Sequence, residues 1–162
     1  MTFKVRDFYS SDAASLNETV LQAFQQFSDQ YSDWDTFCKR IGSMSSLSEE
    51  SEIIVAEQDG CLCGAVAYYG PGKDQTQCFP ENWASVRLLV VGPDYRGQGV
   101  GRALMLNLID RAKRDSCPAI GLHTSTIMEV ALSMYIRLGF EKMKDIPPIH
   151  GVPYAIYKLD LT

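Results

Sequence analysis

Arg96-Gly97-Gln98-Gly99-Val100-Gly101-Arg102 brings together the residue types that hold a phosphate or diphosphate. Glycines let main-chain amides come close to an anion because no Cβ intervenes, and guanidinium groups at both ends suit phosphate oxygens. The run follows residues 86–91, an apolar, β-branched stretch of strand length that Gly92-Pro93 stops, and it opens an amphipathic helix. The first amides of a helix lack internal partners, and the aligned peptide dipoles add roughly half a positive charge there. Strand, glycine loop and helix start in that order make an anion seat. Spacing excludes two common versions of it. A P-loop needs Lys-Ser or Lys-Thr after its last glycine, whereas Gly101 is followed by Arg102-Ala103. The dinucleotide fingerprint needs its third glycine where Arg102 stands.

What remains, Arg96-x-x-Gly99-x-Gly101 after Leu89-Val90-Val91-x-Pro93, resembles the acetyl-CoA signature of the GCN5-related N-acetyltransferase (GNAT) family. A second and independent segment, Ala131-x-x-x-Tyr135-x-x-x-Gly139-Phe140, is similar to the family's last helix and the strand after it. The resemblance covers residues 86–140 by motif and the rest by layout. It implies acetyl-CoA as cofactor, its pantetheine arm paired with the main chain of Leu89, Val90 and Val91. Its diphosphate would lie on the loop formed by Arg96, Gly97, Gln98, Gly99, Val100, Gly101 and Arg102. The reaction implied is direct transfer of the acetyl group to a primary amine of a small molecule or peptide, with no metal. The thioester carbonyl would be polarised by a central-strand amide, and the Tyr135 hydroxyl would protonate the departing thiolate.

Two positions depart from the family pattern. Counting back from Pro93, Ser85 stands where many members carry a glutamate, and Met128 stands where asparagine is common. The first departure leaves removal of the amine proton unassigned, with Glu81, His123 and His150 the nearest titratable candidates in sequence and water the alternative. Arg87, inside an apolar strand, is expected to pair with an acid of a neighbouring strand or to face an anionic acceptor. A second functional reading is a catalytically silent acyl-CoA-binding or regulatory module that kept the cofactor seat.

The elements that must carry these groups read as β-α-α-β-β-β-α-β-α-β-β, an α/β fold with a mixed central sheet flanked by helices. Residues 3–7 alternate as a first strand. Ser10-Ser11-Asp12 offers caps for a helix whose face is Leu16, Val20, Leu21, Phe24 and Phe27. Ser32 can cap a second helix with Trp34, Phe37, Cys38 and Ile41 as its stripe. Tyr31 and Trp34 are expected in the core, with acceptor contact as the alternative. Residues 43–51 read as loop, and 52–58 and 61–69 as strands joined by Asp59-Gly60, a strong hairpin signal. Residues 70–82 form a long loop in which Phe79, Glu81 and Trp83 either face the acceptor or anchor an exposed turn. Gly101, Leu104, Met105, Leu108, Ile109 and Ala112 stripe the long helix. A strand at 119–124, a helix at 126–138 closed by Gly139, a strand at 140–144 broken by Pro147-Pro148, and a last strand at 153–161 complete the chain.

At 162 residues the expectation is one N-acetyltransferase domain over 1–162. A net charge of -5 argues against a nucleic-acid binder. No apolar run approaches a membrane span, and Met1-Thr2-Phe3-Lys4-Val5-Arg6 lacks the core of a signal peptide, so the expected location is cytoplasmic. The odd number of cysteines, 5, reads as thiols rather than a disulfide framework. Cys61 and Cys63 are expected on one strand face as core thiols rather than metal ligands. Homodimers are common in the resembling family, and a homodimer is an assembly the resemblance allows.

Overall fold

The computed structural model describes residues 2–74, 76 and 78–162. Its elements are β1 (Lys4–Asp7), α1 (Ala13–Phe24), α2 (Trp34–Ile41), β2 (Glu52–Gln58), β3 (Cys61–Tyr69), β4 (Ala84–Val91), α3 (Val100–Arg114), β5 (Ala119–Thr124), α4 (Glu129–Leu138), β6 (Glu141–Ile149) and β7 (Val152–Asp160). This is the expected order. The strands form one seven-stranded sheet, β1-β2-β3-β4-β5-β7-β6, antiparallel except where β4 meets β5.

Both faces of the sheet are covered, which is why its strands are apolar on both sides. Leu16, Val20, Phe37 and Ile41 of α1 and α2 pack with Ile53, Val55, Ala65 and Ala67. Leu104, Met105 and Leu108 of α3 pack with Ile54, Val66, Ile120 and Leu122 on the opposite face. Alternate residues of β2 thus enter different cores, as a two-residue strand period requires. Asp59 and Gly60, with φ of 53° and 81°, close β2 onto β3 in the conformation a tight hairpin turn needs.

Two irregularities open β4. Ala65 pairs with Val90 but Ala67 pairs with Arg87, so Leu88 and Leu89 together oppose Val66. This is a β-bulge, with Leu88 in the left-handed region at φ 50°. On its other side β4 meets β5 only at Ala84↔Ile120 and Ser85↔Gly121. From Val86 onward its edge has no partner in β5, and the two strands diverge.

Elsewhere the structure corrects local expectations. Asp12 does not cap α1; its carboxylate accepts the Tyr9 amide at 2.8 Å and pairs with Arg6 at 2.9 Å, holding a 3-10 turn over Ser10–Asp12. α1 ends at Phe24, and Phe27 lies in a 3-10 turn, Gln25–Phe27. Asp33, not Ser32, caps α2, accepting from the Thr36 amide at 3.4 Å. The Ser32 amide instead donates to the His150 carbonyl at 2.7 Å. Residues 43–51 contain a 3-10 helix, Met44–Glu49, because Met44 reaches the core. α4 starts at Glu129 rather than 126, since a turn on Ser125 takes up the Ile127 and Met128 amides. β6 runs through Pro147 and Pro148: it is an edge strand, and its register shifts between Ile146 and Ile149, so neither proline owes the ladder a donor. Cys63 is buried but Cys61 is exposed at the hairpin end, a bulge at Cys63 having broken their shared pattern.

The loop between β3 and β4 is held down at its far end by an aromatic ring. A Cβ built on Gly121 would lie 2.5 Å from Phe79 ring atoms, and Phe79 stacks on Trp83 with ring centroids 5.9 Å apart. Phe79 and Trp83 therefore anchor the loop and do not line the cleft described below. Gly121→Ala is expected to expel the Phe79 ring and cost about 1–3 kcal/mol. A changed Trp83 near-ultraviolet circular dichroism signal together with a lowered Tm checks this.

Candidate active site

The glycine loop comes first. Gly97 and Gly99 adopt φ of 78° and 84°, and nothing lies within 4 Å of a Cβ built on either. Their side of the loop is open, and the need for glycine there is conformational. Gly99 is the N-cap of α3, and its carbonyl accepts the Ala103 amide at 3.0 Å. Among the described residues, the amides of Gly97, Gln98, Gly99 and Val100 donate no backbone hydrogen bond outside regular elements. Arg96 and Arg102 are exposed; one Arg96 N–H donates to the Ala23 carbonyl at 3.3 Å, while Arg102 has no side-chain partner among the described residues. A row of free amides at a helix N-terminus, with a guanidinium on either side, fits a diphosphate.

The unpaired edge of β4 leads from this loop to a cleft of about 250 Å³ at the fork of β4 and β5. On the α4 side Leu89, Ala131 and Tyr135 line it; on the α1–α2 side Phe37, Met44, Met128 and Tyr154 do so, with Arg40, Arg87 and His123 also in its wall. The opening therefore passes through the sheet, and the Leu88–Leu89 bulge sits at its waist. An edge with unsatisfied main-chain groups accepts an extended amide-bearing chain as an added strand. This needs only backbone, so an apolar sequence can form it.

Tyr135 is 5% exposed, packs edge-on against Phe140 at 5.7 Å between centroids, and makes no side-chain hydrogen bond among the described residues. Burial raises its pKa, so the hydroxyl keeps its proton. Burial lowers the pKa of His123, and the charges of Arg87 and Arg40 lower it further against an opposing pull from Asp74. The ring is neutral at pH 7, and its buried Nδ1 has no partner among the described residues. Glu81 and His150 do not line the cleft. Glu81 is exposed on the loop, and His150 packs edge-on against Phe37, so neither is brought to Tyr135. Tyr31 stacks on Phe37 at 4.0 Å and hydrogen-bonds Tyr154 through the two hydroxyls; with Trp34 beside it, it belongs to the core.

Ser85 is not alone at the position where the family's glutamate would stand. Its hydroxyl donates at 2.6 Å to Asp74 of the preceding loop, which also accepts the Thr76 amide at 2.8 Å and hydroxyl at 2.6 Å. Burial opposes ionisation of Asp74, but these hydrogen bonds outweigh it and lower its pKa. Arg87 lies 3.5 Å from the same carboxylate and over the Tyr69 ring at 5.0 Å. The acid expected beside Arg87 thus comes from a loop rather than a neighbouring strand. Asp74, Thr76, Arg40 and Tyr154 carried no motif in the sequence; only the vacancy created by Ser85 pointed to the place.

A second depression of about 310 Å³ lies among Asp7, Glu52, Asn107, Asp110, Arg111 and Arg114. It is wide open, and its arginines are already paired with Asp7 and Glu52 at 2.6–2.8 Å. Among the described residues no three His, Cys, Asp or Glu side chains gather as a metal site, and no helix is long and apolar enough to cross a membrane.

A seven-stranded mixed sheet forked at its parallel pair, with a glycine loop below the fork and a tyrosine beyond it, matches known proteins along nearly its whole length. The family model described as "Acetyltransferase (GNAT) family" matches residues 13–140, and the chain belongs to that family. The S-alkylcysteine N-acetyltransferase of Bacillus subtilis is 32% identical over 133 residues, covering 80% of this chain and 74% of that protein. Two further relatives are longer, and the chain spans 62% and 37% of them. The crystal structure of PaiA N-acetyltransferase from Thermoplasma acidophilum, in complex with coenzyme A, has a TM-score of 0.79 at 18% identity and covers 99% of both chains. The ribosomal-protein-S18-alanine N-acetyltransferase of Escherichia coli has a TM-score of 0.69 at 18% identity, covering 99% of this chain and 95% of that one.

Proposed function

We propose that residues 1–162 form one acetyl-CoA-dependent N-acetyltransferase domain that acetylates a primary amine of a small molecule or peptide by direct attack. The observation that carries this reading is the continuity of open glycine-loop amides, unpaired β4 edge and buried Tyr135 along one path. Residues Gly97 to Arg102 would hold the diphosphate, with Arg96 beside them, and Leu89, Val90 and Val91 the pantetheine amides. When bound, acetyl-CoA supplies an activated acetyl thioester. The main-chain amides at the bulge would be the groups available to polarise its carbonyl. Tyr135 Oη, kept protonated by burial, would be the group placed to give its proton to the leaving sulfur. His123, neutral and without a partner at Nδ1, takes the proton of the attacking amine directly or through water. A cytoplasmic location is supported by the five cysteines standing as free thiols.

Release of free CoA on incubation with acetyl-CoA and a panel of amines tests the activity; cofactor binding without turnover on any acceptor would instead establish a silent acyl-CoA-binding module. The role of His123 has its own test. The lowered pKa predicts an acid limb of kcat below the ordinary imidazole value of 6.5. His123→Gln should lose that limb and about tenfold or more in kcat. An unchanged limb and rate would exclude His123 as the base. The same shift acts on stability: the contribution of neutral His123 is present above the unfolded pKa and is lost as pH falls through the lower, folded one.

A further inference from the structure

We propose that the acceptor is an amine that itself bears a carboxylate, an amino-acid-like zwitterion with an apolar side chain, and that Arg87, assisted by Arg40, holds that carboxylate. The inference rests on the N-acetyltransferase reading and names its substrate class. Among the described residues no Asp or Glu side chain lines the cleft, whereas Arg40 and Arg87 both do. Asp74 is the nearest acid to Arg87, yet its oxygens already accept from Ser85 and Thr76, and it lies 3.5 Å away, beyond a good hydrogen bond.

The Arg87 side chain makes no hydrogen bond among the described residues, and its Nε is buried without a partner. Its side chain is 26% exposed and clamped between the Tyr69 ring and Asp74, so the guanidinium is aimed before any ligand arrives. Arg40 stands exposed on α2 and has no side-chain partner among the described residues. With Asp74 counted, the three charged groups leave a net charge of +1, and neutral His123 does not oppose it. A diamine or polyamine would meet this field with the wrong sign, while a carboxylate would fit the planar fork of Arg87. Phe24, Phe37, Ile41 and Met44 give the remainder of that wall an apolar character suited to an aliphatic, thioether or aromatic side chain. A peptide N-terminus presents a neutral amide where an amino acid presents its carboxylate, so the same arginine separates those two acceptors.

The test is calorimetric binding to the CoA-saturated protein of leucine, methionine and phenylalanine, of their carboxamides, and of putrescine. A charge-assisted pair of this kind corresponds to roughly a 10–100-fold preference. The acids should bind at least about tenfold more tightly than the amides, and putrescine most weakly. Arg87→Gln should bring the acid-to-amide ratio close to one, while Arg87→Lys should keep part of it. The ratio is taken within one variant, so a general loss of folded protein cancels; Arg40→Gln, on the exposed rim, gives a smaller fall in the same ratio without disturbing the strand. Equal binding of acids and amides, tightest binding of putrescine, or a ratio indifferent to Arg87→Gln overturns the inference. Acid-selective binding with no acetyl transfer would sustain it and overturn the enzymatic reading instead. Transfer to amides as fast as to acids would do the reverse.

Discussion

Tyr135→Phe is expected to fold as the parent does, to bind acetyl-CoA unchanged, and to turn over about tenfold or more slowly. The structure makes this a clean experiment. The tyrosine ring packs against Phe140, a contact phenylalanine keeps, and its hydroxyl takes part in no hydrogen bond that the substitution would orphan among the described residues. The hydroxyl lines the cleft and supports no other group, so the Tm should stay close to that of the parent. Loss of turnover with an unchanged Tm and unchanged cofactor affinity would isolate proton delivery to the leaving sulfur. Unaltered turnover, with the chemical step shown to limit the rate, would remove Tyr135 from the mechanism.

Gly99→Val should weaken acetyl-CoA binding by about tenfold or more while leaving the Tm within a few degrees. At φ 84° the position is left-handed, where a residue with a Cβ loses about 1–2 kcal/mol and a β-branched one more. No neighbour would clash, so the strain is relieved locally, by rotating the amides at the start of α3 away from their common focus. Asparagine tolerates this backbone region, and Gly99→Asn should retain more affinity than valine. Titration calorimetry with acetyl-CoA on all three proteins gives the comparison; equal affinities would detach the loop from cofactor binding.

Much of this was legible in the sequence because the relevant physics is local. Asp59-Gly60 fixed the ends of β2 and β3, the glycine spacing marked the loop, and the stripe of Leu104, Met105 and Leu108 marked α3. Choices made by tertiary packing were not legible. Prolines 147 and 148 read as a break until β6 proved to be an edge strand. Ser32 and Asp33 are equivalent caps on paper, and the hydrogen bond from the Ser32 amide to the loop at His150 decides between them. The bulge at Leu88 sits in a run of apolar residues with no glycine to announce it. Asp74 is eleven positions from Ser85, with intervening loop residues that have no periodicity, so only the folded loop brings carboxylate and hydroxyl together.

The rungs that join β4 to β5 number only two, and the second of them, Ser85 opposite Gly121, is the one the β3–β4 loop grips from above. Asp74 holds the serine and Phe79 lies on the glycine, so one loop acts as a rivet at the apex of a wedge. Changes within that loop therefore alter the aperture between two plates of sheet, β1–β4 and β5–β7, as a hinge pin alters a jaw.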